Sequence, residues 1–240
     1  MIEIFFLSFI LSSLFAIGGM GSAIALIPIL HFIGIEFNVS KVIGLFVNTA
    51  TTITSTLINI KRKILDIKVA IPLAISLSIF APIGALFSKE VPIDLIKFLF
   101  SIFLFFSATL IFIKKEQKLK ITNKWIMVSL GMVVGFISGL LGIGGGALLM
   151  PALIFLGFDA KKMAIILSFV IPFSTFFAFL TYLSFVKVDW TLLIAALFGA
   201  IIGGYVGNYI MHFKLNQRQI KKLIALFLYI IAIKMFISVI

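Results

Sequence analysis

The feature that most limits this chain is a glycine cluster set inside a long apolar run. Gly142-Ile143-Gly144-Gly145-Gly146 leads into Ala147-Leu148-Leu149-Met150-Pro151, in the middle of an apolar stretch from Trp125 to Phe158. Each glycine costs ~1 kcal/mol relative to alanine in a helix interior, so one straight helix is the wrong expectation. In hydrocarbon every freed backbone group must find a partner inside the protein or line a wet cavity. Glycines also let successive N–H groups converge on one point, which makes a nest for an anion.

The stretch occurs twice. Gly19-Met20-Gly21-Ser22 leads to Pro28, and the step from Pro28 to Pro151 fixes an offset of 123 residues. The same offset pairs Gly34 with Gly157, Thr52 with Thr175, Asp66 with Asp189 and Gly84 with Gly207. Apolar matches carry little weight here; the Gly, Pro and Asp matches indicate an internal duplication.

Composition sets the class. The chain has 240 residues, of which 62% are hydrophobic and 12% charged, where a soluble domain is about half apolar and about a quarter charged. This is an all-α polytopic membrane protein. Its net charge of +12 reflects basic residues gathered in cytoplasmic loops and drawn to acidic headgroups, not nucleic-acid binding. The absence of cysteine removes disulfides and thiolate metal sites. The N-terminus lacks a basic n-region and is read as the first membrane segment, not a signal peptide.

The first apolar run, Ile4 to Ile33, would be ~45 Å long as one helix, against a hydrocarbon core of ~30 Å. Both glycine-interrupted runs are therefore read as bent or U-shaped elements. Full helices are expected at 42–60, 69–87, 93–113, 164–185, 192–211 and 223–240. Repeat 1 spans 1–113, a cytoplasmic linker 114–124, and repeat 2 spans 125–240. If all eight segments crossed once, the loop lysines of the two halves would demand opposite orientations. If each broken element enters and leaves on one side, fifteen of the twenty basic residues fall inside. Lys41, Lys89, Lys97 and Lys187 fall outside, and Lys234 snorkels from the last helix. Each repeat then crosses an odd number of times. The expected fold is two inverted repeats, each one broken element plus three transmembrane helices, a familiar transporter plan.

The site candidates follow from that plan. Gly19, Gly21, Ser22, Gly142, Gly144, Gly145 and Gly146 would present backbone N–H groups to a small anion near the midplane. Asn48, Thr49 and Thr52 belong to a polar helix face that continues through Ser55 and Asn59; Ser168, Pro172 and Thr175 answer them in repeat 2. The alternative for the glycines is close helix packing, and for the hydroxyls bonding back to their own helix. Pro172 removes a backbone donor and frees a carbonyl. Pro28 and Pro151 are structural, and Asp66 and Asp189 are read as helix caps. No carboxylate lies deep in a segment, and no ionisable residue at depth suggests a proton relay. His31 and His212 have no repeat partners, and no metal site, cofactor, nucleotide-binding motif or catalytic constellation is expected.

At these residues the chain resembles the TauE/SafE family of sulfite exporters and related permeases. The resemblance rests on Gly142-Ile-Gly-Gly-Gly through Pro151, on Gly157, and on Val188-Asp189 before a helix with Gly199, Gly203 and Gly207. A weaker first copy runs through Gly19, Pro28, Gly34, Asp66 and Gly84. It implies transport of small sulfur anions such as sulfite or organosulfonates across the inner cell membrane. It departs from the family where Gly44-Leu45-Phe46 and Leu167-Ser168-Phe169 stand at steps that are often more polar. The expectation is a non-enzymatic anion transporter whose partners are its substrate, the lipid bilayer and, as an open point, a second copy in a homodimer. Export is favoured, because an anion leaves a negative interior downhill. An anion channel, a sodium- or proton-coupled importer and a non-transporting membrane subunit stay open as alternatives.

Overall fold

The computed structural model describes residues 1–19, 21–65, 67–112, 124–155, 158, 160–212 and 217–238. Within them every regular element is a helix: α1 (Ile2–Gly18), α2 (Ala23–Phe32), α3 (Phe37–Lys61), α4 (Ile67–Phe87) and α5 (Ile93–Phe112), then α6 (Lys124–Leu141), α7 (Gly146–Phe155), α8 (Ala160–Leu183), α9 (Trp190–His212) and α10 (Gln217–Ile237). The starts of α2, α3 and α4, moved by 123 residues, coincide with those of α7, α8 and α9. The linker proposed at 114–124 lies almost wholly outside the described residues.

The breaks come from glycine backbone. Gly19 closes α1 at φ 66°, and its N–H returns to Ala16 and Phe15 carbonyls, the usual left-handed helix stop. Gly21 follows at φ 81°, and the partners Gly142 and Gly144 repeat the pair at 78° and 74°. The chain reverses at this bend. Ser12 bonds Thr51, while Gly19 shares a cleft with Ser55, so α1 runs alongside α3 in the same direction. Gly21 lies against Asn48, Ile27 against Gly44 and His31 against Phe37, so α2 runs back against α3. The first broken element is thus a hairpin.

Packing repeats the exchange of halves. Gly199, Gly203 and Gly207 of α9 meet Phe5, Phe9 and Ser13 of α1 in rising order, and Gly131, Gly135 and Gly139 of α6 meet Leu73, Leu77 and Ala81 of α4 in the same way. Each pair is a parallel contact of small residues against backbone. In contrast, α3 and α8 are antiparallel: Lys41 reaches Tyr182, Thr49 reaches Thr175 and Asn59 reaches Ser168. α5 and α10 are likewise antiparallel, with Phe98 on Phe236 and Phe105 on Tyr229. Exchanging α1–α5 with α6–α10 therefore maps the packing onto itself.

Six described helices are long and apolar enough to cross a membrane, namely those within α3, α4, α5, α6, α8 and α9. Their outward faces carry large apolar side chains such as Ile75, Ile79, Phe106 and Phe198, each more than half exposed or nearly so, as lipid contact requires. One expectation is corrected. Lys41 was placed in an outer loop, but α3 begins five residues before the expected Val42 and draws it in. It is fully buried, so an ionisable side chain does lie within a membrane segment.

Candidate functional site

The centre of the packing is Asn48. Its Nδ2 donates to the Ile143 carbonyl at 3.3 Å, across to the second bend. A Cβ on Gly21 would collide with Asn48, and one on Gly144 would lie 2.7 Å from Asn48 Nδ2 and against Thr175. Asn48 therefore sits between both bends, and only glycine lets them approach it. Beside it the Thr49 and Thr175 hydroxyl oxygens are 2.7 Å apart. Asn48 is 1% exposed and its Oδ1 has no partner among the described residues. The starts of α2 and α7 flank this point, and Ser22 makes no side-chain cap. The first N–H groups of a helix have no intrahelical partner, and they carry the positive end of its dipole. The arrangement offers donors to an anion from two sides, though the side chains here are packed shut.

Two further places lie at the ends of α1 and α6. At the second, Lys41 Nζ is 3.5 Å from the Leu140 carbonyl and 3.3 Å from the Tyr182 hydroxyl, and lies over the rings of Phe37 and Tyr182. The Tyr182 hydroxyl is 2.9 Å from the Gly139 carbonyl and 3.0 Å from that of Leu140. A cation here faces the negative end of α6. At the first tip, Ala16, Gly19, Gly21, Ser55, Ser168 and Asn208 are among the residues lining a cleft with room for about one water molecule.

The expected site residues thus divide. Gly21, Asn48, Thr49, Gly144 and Thr175 meet at the centre. Gly19, Thr52 and Ser168 line the first-tip cleft instead. Ser22 accepts from Ser12, which accepts from Thr51. In repeat 2 the Gly145 N–H is 3.5 Å from Ser174 Oγ; Gly142 lies against the Lys41 stem, and Gly146 opens α7. The hydroxyls of Thr49, Thr51, Thr52 and Thr56 do bond back to their own helix, yet Thr49, Thr51 and Thr56 also reach other helices. Pro172 lies inside a continuous α8. The carbonyl it frees, that of Ser168, accepts from Thr56 and is not open to a ligand. Pro28 lies inside α2 and is buried, and Pro151 lies in the α7 span. Asp189 accepts the Thr191 N–H at 2.8 Å at the start of α9. The Thr191 hydroxyl and N–H hold its carboxyl below the usual range. Asp66 lies outside the described residues.

Sequence reasoning missed Lys41, Tyr182 and Asn208. Lys41, Asn48 and Ser55 recur every seven residues on α3, which places Lys41 on the singled-out face, and that spacing could have found it. Tyr182 and Asn208 gave no comparable signal.

The chain matches the family model "Sulfite exporter TauE/SafE" over residues 4–235. A probable membrane transporter protein of Methanocaldococcus jannaschii is 34% identical over 187 residues, covering 73% of this chain and 68% of the relative. A probable membrane transporter protein of Bacillus subtilis is 26% identical over 211 residues, covering 75% and 77%. No solved structure matches.

Proposed function

The chain belongs to the sulfite exporter TauE/SafE family of multi-pass membrane transporters, and from that premise we propose that it carries small oxyanions, such as sulfite or an organosulfonate, across the inner cell membrane. The observation that supports this reading is the convergence of both glycine bends on the buried Asn48, next to the starts of α2 and α7. Such ends suit an anionic group at membrane depth. Because the centre is packed shut, passage requires the hairpins to part from α3 and α8, which is the behaviour of a carrier and not of an open channel. The antiparallel packing of α3 on α8 and of α5 on α10 supports an inverted arrangement of the repeats in the bilayer. An anion carried without a coupling ion gains ~2.3 kcal/mol per charge per 100 mV on leaving a negative interior, so uniport runs as export.

The test is sulfite flux into and out of proteoliposomes containing the purified protein. We expect saturable flux with counterflow, and loss of that flux in Asn48→Leu. Flux without saturation or counterflow would point to a channel, and no flux for sulfite or organosulfonates would defeat the anion reading. Cysteines placed at Lys63 and Lys187 are expected to label from opposite sides; labelling from one side would exclude the inverted arrangement.

A further inference from the structure

We propose that Lys41 is the counter-charge of the transported anion, and that carbonyls of the second hairpin hold the anion's place until it arrives. This inference rests on the anion-carrier reading and adds to it the residues that meet the charge.

The Lys41 ammonium is fully buried, and its partners among the described residues are all neutral. Nζ donates to the Leu140 carbonyl at 3.5 Å and to the Tyr182 hydroxyl at 3.3 Å, and it lies over the rings of Phe37 and Tyr182. Both bonds are long for a charged donor. The acids of this neighbourhood do not serve it. Asp94 pairs with Lys97 at 3.6 Å, and Glu36, just before α3, is exposed. A buried charge without a counter-ion is expensive, and methionine would fill the same space without that cost. Packing alone therefore does not call for an ammonium here. Ionisable side chains inside membrane segments mark substrate and ion paths.

The second bend links Lys41 to the centre. Leu140 accepts from Lys41, Gly142 lies on the lysine stem, Ile143 accepts from Asn48, and Gly144 lies against Asn48. From α8 the Tyr182 hydroxyl reaches the Gly139 and Leu140 carbonyls. An ammonium, a phenol hydroxyl and an amide thus all point at carbonyls of one short segment, 139–143. Lys41 and Asn48 lie on one face of α3, ~10 Å apart along its axis. Parting this hairpin from α3 and α8, the movement that passage requires, removes the acceptors of all these donors in one step. The oxygens of sulfite or a sulfonate are acceptors of the same kind. They also carry a full negative charge, so the ammonium holds them more strongly than it holds a carbonyl. The anion therefore competes with the bend for Lys41 and Tyr182, and Asn48 receives it further along α3. An anion on the ammonium forms a neutral pair, which lowers the cost of a charge at membrane depth. The first hairpin has no such competition, because Ala164 and Asn59 stand at the positions equivalent to Lys41 and Tyr182.

The experiment compares wild type, Lys41→Met and Tyr182→Phe in two ways. One is Tm of purified protein in sodium sulfite against sodium gluconate at equal ionic strength; the other is sulfite flux in proteoliposomes. Lys41→Met should fold with a Tm in gluconate no lower than that of the wild type. An apolar side chain then replaces an uncompensated charge, and the Tyr182 hydroxyl still serves the carbonyls. Sulfite should raise the wild-type Tm. Lys41→Met should need at least about tenfold more sulfite for the same rise, with a flux KM raised at least about tenfold, the weight of one charge-assisted bond. A cap with no other role would move Tm and leave KM unchanged. Tyr182→Phe keeps the charge, and its KM should rise about two- to tenfold. A folded Lys41→Met with the wild-type dependence on sulfite overturns the proposal. Should Lys41→Met fail to fold, Tyr182→Phe decides, and an unchanged KM there overturns the proposal. A Tm response to sulfite that Lys41→Met loses, without flux in the wild type, defeats the carrier reading and keeps the anion at Lys41. Flux with equal KM in wild type and Lys41→Met does the reverse.

Discussion

The two hairpin tips share a backbone and differ in the side chains set against it, Lys41 and Tyr182 at the second, Ala164 and Asn59 at the first. Gly19 with Gly21 and Gly142 with Gly144 adopt the same left-handed pairs, and each tip leans on the other repeat, Gly19 on Ala164 and Gly142 on Lys41. At the second tip a lysine caps the broken helix and seals it. At the first an alanine stands at that place beside a cleft lined in part by Asn208, whose Oδ1 has no partner among the described residues. The 123-residue step therefore carries the same bend in both hairpins, while the exchange of Lys41 for Ala164 leaves the first tip without a capping amine.

The largest effect should come from reversing the charge at the sealed tip. Lys41→Glu buries a carboxylate against the Gly139 and Leu140 carbonyls with no donor but Tyr182. Burying an uncompensated carboxylate costs on the order of several kcal/mol, and we expect no monodisperse protein in detergent by size-exclusion chromatography. Recovery of stable Lys41→Glu protein would mean that the lysine does not cap α6.

The bends come next. Gly144→Ala meets a left-handed φ, worth ~1–2 kcal/mol, and a collision with Thr175 and Asn48. Gly34→Ala meets a left-handed φ of 97° but open space. The difference in Tm between the two isolates crowding at the centre, and Gly144→Ala should be the lower. Combining it with Asn48→Ala should restore part of the loss, by about 0.5–3 kcal/mol of coupling. Strictly additive losses would show that Asn48 does not hold the two bends together.

A smaller effect separates the tips again. Tyr182→Phe strips a hydroxyl from the Gly139 and Leu140 carbonyls and should lower stability by about 1 kcal/mol. At the partner position Asn59→Leu gives up one bond to Ser168 but also removes an unpartnered oxygen, so the two changes offset and Tm should move less. A larger loss in Asn59→Leu would show that the Asn59 amide holds α3 to α8 by more than its bond to Ser168.

How much of this was legible in the sequence differs by level. Repeating Gly and Pro residues located the bends, because left-handed backbone favours glycine and a Cβ at Gly19, Gly21, Gly142 or Gly144 would also collide with a neighbour. Polar residues in an apolar helix pointed to Asn48, because such groups need internal partners. Lys41 was misplaced because a basic residue near a predicted helix end reads as a loop charge; only the extra turn at the start of α3 shows it facing inward. Tyr182 and Asn208 were invisible because an isolated tyrosine or asparagine in a membrane helix carries no period, and their meaning depends on which carbonyls or clefts the opposite repeat sets before them. Pro172 reads as freeing a carbonyl for a ligand or a gate, but that carbonyl, of Ser168, is taken by Thr56, 112 residues away.

The smallest expected effect lies outside the tips, at Asp189. Its carboxylate accepts the Thr191 N–H at the first turn of α9 and is held below the usual carboxylate range by the Thr191 hydroxyl and N–H. A carboxyl with a depressed folded pKa contributes stability that is present above its unfolded pKa and is lost as pH falls through the folded value. The acid-side decline in Tm should therefore include a part due to Asp189, and Asp189→Asn should remove that part, since asparagine caps about as well and does not titrate. Near neutral pH the variant should match the wild type in Tm and in sulfite flux, because the cap orients α9 without touching either tip. The measurement is Tm and sulfite flux for both proteins from neutral to acidic pH. A variant that folds normally but loses flux would move Asp189 from capping into transport, and with it shift the asymmetry of the repeats away from the Lys41 and Ala164 pair.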